Sequence, residues 1–205
     1  DSLHIAEEQS AILDAYNRKR QDLDQEVTQQ ALAHIESDPT SLDRKVLVLY
    51  DPSWNKGVMG IVAARLADRL HRPVVIFSRS GDYLSGSGRS YGGYDLYQAV
   101  QACSDCLLNF GGHMFATGMS VAPDRLAEFR RRLEQYTEEH QDTNHPFLPK
   151  LHIDTRLDAQ EISRNLLRQI DLFYPFGMGN ERPVFLTAQL RDAGGTRAVG
   201  KNGQH

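Results

Sequence analysis

The chain has 205 residues, 40% of them apolar and 24% charged, with a net charge of −4 at neutral pH. This length supports one or two domains with a real core, and the acidic balance excludes a generic basic coat for nucleic acid. Two cysteines exclude a disulfide framework and point to a reducing, cytoplasmic setting. No apolar run reaches the roughly 20 residues of a membrane helix, and the polar start Asp1-Ser2-Leu3-His4 has no signal-peptide core.

In chain order, residues 1–36 lack Gly and Pro and carry a thin apolar stripe through Ile5, Ile12, Tyr16, Leu23, Val27 and Leu32 or Ile35. They read as one long polar helix, about 45 Å over 30 residues, of the kind that connects domains. A coiled-coil dimer competes with that reading, but the heptads are irregular. Past Asp38-Pro39, Val46–Tyr50 reads as a buried strand, Gly60–Leu70 as a helix ended by Pro73, and Val74–Phe77 as the next strand, together a βαβ unit. Tyr83–Ser90 reads as extended, Tyr94–Cys103 as a short helix, Phe115–Val121 as a strand and Pro123–Glu139 as an amphipathic helix. After the polar segment from Glu138 to Pro149, strands are expected at Leu151–Leu157 and Val184–Leu190, with a helix at Ala159–Ile170. The end, Thr196–Gly200 then Lys201-Asn202-Gly203, reads as a strand entering a hairpin turn, so the chain is expected to stop inside a β domain.

Charge is uneven: residues 41–118 hold eight Lys/Arg against six Asp/Glu, +2, leaving −6 elsewhere. Binding of phosphates should therefore come from shaped sites. Phe110-Gly111-Gly112-His113 is the first candidate. Its glycines let backbone N–H groups approach an anion and His113 adds a donor; a tight turn with a satisfied histidine explains the same residues. Gly86-Ser87-Gly88-Arg89-Ser90 is the second, with one arginine able to fork onto a phosphate, or else a flexible hairpin turn. Trp54–Gly60 leads into a helix N-terminus but lacks the order of a P-loop, and reads more simply as a loop with its Trp packed. Cys103-Ser104-Asp105-Cys106 is half a zinc site at best and reads as two buried thiols. No Asp/His cluster suits a divalent metal, so any hydrolytic metal site is expected elsewhere.

Trp54-Asn55-x-Gly57-Val58-x-Gly60-Ile61-Val62-Ala63-x-Arg65, His71-Arg72-Pro73, Gly86–Ser90, Asp95-Leu96-Tyr97, Asn109–His113 and Gly118 occur in that order. Together they resemble the DHHA1 domain of RecJ-type nucleases, single-stranded-DNA-specific 5′-to-3′ exonucleases of the DHH phosphoesterase superfamily. Pro175-Phe176-Gly177-Met178-Gly179-Asn180 resembles the segment preceding the OB-domain strands of the same family.

The resemblance implies an α/β fold: a DHHA1-type mixed-sheet substrate-binding domain with flanking helices at 39–148, a connector helix at 1–38, and the truncated start of an OB-like domain at 149–205. It implies a DHH domain outside this chain holding two Mn2+ or Mg2+ ions, with no metal and no catalytic residue here and the chain alone inactive. Arg89, Ser90, Gly111, Gly112 and His113, with Ser87 and Asn109, look like the contacts to substrate phosphate. Thr117, where many such sequences have Ala, is expected to add a hydroxyl near that site. The implied setting is DNA repair and recombination: a monomer acting on single-stranded DNA, with single-stranded-DNA-binding protein or helicase partners and no membrane. A DHH-family phosphodiesterase of oligonucleotides or cyclic dinucleotides is the alternative, and a nucleotide-binding or scaffolding module a third.

Overall fold

The structure, a computed structural model, describes residues 2–140, 147, 151–192, 194, 195 and 197. The chain divides into two compact units, 1–149 and 150–205. Among the described residues no helix is long and apolar enough to cross a membrane.

The first unit is the mixed α/β fold expected. Helix α1 (Ser2–Ser37) is continuous, but only its second half docks: Asp24, Val27, Thr28, Ala31 and Ile35 are buried, whereas Ile5, Ile12 and Tyr16 of the same stripe face solvent. Strand β1 (Leu47–Tyr50), helix α2 (Met59–Leu70) and strand β2 (Val74–Ser80) form the βαβ unit, with β1 and β2 parallel. β1 and the first four residues of β2, Val74–Phe77, are continuously apolar because both faces are covered there. In α2, Met59, Val62, Ala63, Leu66 and Ala67 supply one buried helical stripe. The helix stops at His71, which takes a left-handed conformation (φ 53°) just before Pro73.

Strand β3 (Tyr83–Arg89), helix α3 (Leu96–Ala102), strands β4 (Leu107–His113) and β5 (Ala116–Val121) and helix α4 (Leu126–His140) complete this unit. The sheet order is β1-β2-β3-β5-β4, antiparallel beyond β2. Helices α3 and α4 cover one face through a core containing Val75, Phe77, Met119, Leu96 and Phe129; Phe77 and Phe129 meet edge to face at 5.8 Å. Helices α1 and α2 cover the other face, over Leu47, Leu49, Val74 and Ile76. Arg65 bonds Asp24 at 2.7 Å, and Trp54 Nε1 donates to Gln30 Oε1 at 3.0 Å, tying α1 to α2 and to the loop before it. Trp54 is packed, as a structural loop requires.

The second unit departs from its expected elements. The strands shrink to β6 (Thr155–Arg156) and β7 (Phe185–Leu186), paired in parallel. The expected helix is split, because the sequence holds two start signals. Asp158 and Glu161 form a capping box over a short 3-10 turn, and Ser163 then caps helix α5 (Arg164–Asp171) by accepting from Leu166 N–H. The expected strand from Thr196 into the Asn202-Gly203 turn lies, Arg197 apart, outside the described residues.

Candidate nucleic-acid interface

Side chains alternate across a strand, so the register decides which candidates share a face. Three cross-strand rows point to the face that carries α1 and α2: Arg89–Ala116–His113, Ser87–Gly118–Gly111 and Ser85–Ser120–Asn109. The helices lie over β1, β2 and part of β3, and Gly118, Gly111, Asn109 and His113 stay exposed. The outcome is a trough. Its floor is β5, narrow because Ala116 and Gly118 are small. Its walls are Arg89, Ser87 and the start of α2 on one side, His113 and Asn109 on the other. Two strand spacings separate the walls, about 10 Å. A Cβ added at Gly111 or Gly118 would meet nothing within 4 Å, so the missing side chains leave room above the sheet and serve no packing within it.

Arg89 is half-buried in this wall. Its Nη1 donates to Gly88 O at 2.8 Å and Ser87 Oγ at 3.2 Å. None of the ion pairs among the described residues involves it. Burial pulls its pKa below the usual arginine value, yet a guanidinium remains charged at any ordinary pH. Its Nη2 lies against Gly60, where a Cβ would come within 2.7 Å. Gly60 is in the first turn of α2, and the residue preceding that helix, Val58, offers no side-chain cap. The Ile61 and Val62 N–H groups both donate to Val58 O at 3.0 Å, which leaves the Met59 and Gly60 N–H groups as the open donors of this turn, and a cation beside this positive helix end is electrostatically unfavourable. An anion lodged between guanidinium and helix start would satisfy both.

His113 is exposed, and its Nδ1 accepts the Phe115 N–H at 3.3 Å. In the neutral ring this puts the proton on Nε2, a donor at the trough wall.

Several expectations change. Gly111-Gly112-His113 is no turn: it ends strand β4, paired with Gly118, Thr117 and Ala116, and the turn follows at Met114-Phe115. Gly112 has φ 142° and a Cβ there would strike Ala116 O, so the backbone requires glycine at this position. Ser90 is committed locally, its hydroxyl donating to Tyr94 O and its N–H to Phe115 O. Thr117 lies in the row of Val75, Gly88 and Gly112, on the opposite, covered face. It is buried, its hydroxyl has no partner among the described residues, and it is not near the trough.

Sequence reasoning kept the helix start and the arginine apart and missed Gly60 as the seat of the guanidinium and Ala116 with Gly118 as the floor. The available signal was small residues at alternate positions of β5. Cys103 and Cys106 are buried and unpaired, the Cys103 thiol pushed up to about 11 by burial. Among the described residues no group of three His, Cys, Asp or Glu is placed to hold a metal ion, so this donor set does not fit the divalent ions the resemblance implies.

Residues 43–139 match the DHHA1 domain family and residues 153–205 the RecJ OB domain family. The chain is 32% identical over 204 residues to the single-stranded-DNA-specific exonuclease RecJ of Bacillus subtilis, covering 98% of this chain and 25% of that protein. The Escherichia coli protein of the same name is 36% identical over 182 residues, covering 84% and 31%. The crystal structure of Thermus thermophilus RecJ with Mn2+ superposes with a TM-score of 0.74 at 29% identity, covering 86% of this chain and 25% of that one. The chain thus spans between a quarter and a third of the length of these relatives.

Proposed function

The chain belongs to the RecJ family, as a DHHA1 domain followed by a RecJ OB region, and on that premise we propose that the β3-β5-β4 trough carries the sugar-phosphate backbone of single-stranded DNA. Arg89 and the first turn of α2 take one phosphate. Ser87, Gly111, His113 and Asn109 line the path of the next. Gly112 and Ser90 hold the walls in shape. One observation carries the reading: a half-buried arginine with no carboxylate partner among the described residues, set against a helix start, opens onto a floor of Ala116 and Gly118.

The whole protein is a 5′-to-3′ exonuclease acting in DNA repair and recombination. A DHH domain outside these 205 residues holds its Mg2+ or Mn2+; the DHHA1 and OB regions bind and align the strand, and by themselves do not cleave. The OB region adds grip on long strands. The full-length protein with Mn2+ should release nucleotides from the 5′ end of a long single strand and act far more slowly on a dinucleotide. Equal rates on both would favour a small-nucleotide phosphodiesterase, and Mn2+-dependent cleavage by residues 1–205 alone would place catalysis in this region.

A further inference from the structure

Phe115 sits at the tip of the β4–β5 hairpin with 57% of its surface exposed. Its position is nonetheless fixed. Its carbonyl accepts the Ser90 N–H at 3.0 Å, directly after Arg89, and its neighbour Ala116 is the cross-strand partner of Arg89. The ring meets that of His113 near edge-on at 6.0 Å. It belongs to neither apolar core. The Ser90–Phe115 backbone bond holds the hairpin tip next to Arg89, and the exposed phenyl is carried on that tip. Its face has no hydrogen-bonding groups, so it can stack on any base without reading its edge.

We propose that Phe115, backed by His113, is a stacking platform for the nucleobase of the nucleotide whose phosphate Arg89 holds. This rests on the trough being the strand-binding site, and it adds a base contact to a surface otherwise built for backbone. The platform tolerates every base and favours purines, which offer the larger π-face.

The test uses the full-length protein in chelator, so that binding is read without hydrolysis. Two probes of equal length are compared: oligodeoxyadenylate, and a tetrahydrofuran strand that has phosphates but no bases. Phe115→Ala should weaken oligodeoxyadenylate binding by about fivefold to a hundredfold, the range of aromatic–base stacking, and leave the base-free strand unaffected. Phe115→Trp should restore affinity, whereas Phe115→Leu, which keeps an apolar hairpin tip, should not. If Phe115→Ala affects neither probe, or weakens both equally, or is rescued by Leu, the platform is overturned. Arg89→Ala is the separate control and should weaken both probes. If it weakens neither, the trough reading itself fails, whatever Phe115 does.

Discussion

Gly118→Val should weaken single-strand binding by about tenfold to a hundredfold while folding is unharmed or improved. Gly118 is central in the trough floor, flanked by Ser87 and Gly111 across the strands, and a side chain there projects into open space. Valine is a favoured strand residue, and a strand-interior glycine costs roughly 0.5–1 kcal/mol relative to alanine. Stability should therefore hold or rise by up to about 1 kcal/mol. Its branched side chain would lift a DNA backbone away from Arg89 and His113, losing the equivalent of one charge-assisted contact, about 1.5–3 kcal/mol. Gly112→Ala should do the opposite. At φ 142°, with Ala116 O in the path of any Cβ, it should destabilise the hairpin by about 1–3 kcal/mol. Thermal unfolding and oligonucleotide titration of both variants separate the roles of two adjacent-row glycines that look alike in sequence. Loss of both stability and binding in Gly118→Val would mean that its bare face serves packing.

Arg89→Ala should cost roughly 1.5–3 kcal/mol of binding, about tenfold to 150-fold, and lower the slope of log affinity against log salt by about one. No carboxylate among the described residues depends on this guanidinium, and it stands at a helix start, so its removal should leave stability nearly unchanged. Arg89→Lys should restore the charge but not the forked contact. Gly60→Ala, which places a Cβ against Nη2, should reproduce part of the loss without touching the arginine. A large fall in melting temperature in Arg89→Ala, with binding intact, would make the arginine structural.

Local patterns made much of this fold legible. The apolar run Val74–Phe77 and the stripe of α2 announced the βαβ unit, and Leu126, Phe129 and Leu133 announced α4. What local pattern does not carry is register. Nothing near Arg89 says that it pairs with Ala116, or that His113 lies two strands away in the same row; that pairing is a long-range result of the whole sheet. For the same reason the sequence reading put Thr117 near the site. One residue of strand alternation sends it to the buried face, where its hydroxyl finds no partner among the described residues. The two glycines of Gly111-Gly112 suggested a turn, since a glycine's backbone freedom and its lack of bulk leave the same letter in the sequence. In the second unit, the capping signals at Asp158 and Ser163 were present and outweighed the apolar periodicity across them.

The trough itself is tested most directly by amide chemical-shift mapping of the 205-residue chain titrated with a single-stranded oligonucleotide. The account predicts shifts concentrated at Gly60, Ser87, Arg89, Gly111, His113, Ala116 and Gly118, growing together along one binding curve. Still amides at those positions, with movement instead along α3 and α4 on the opposite face, would contradict it.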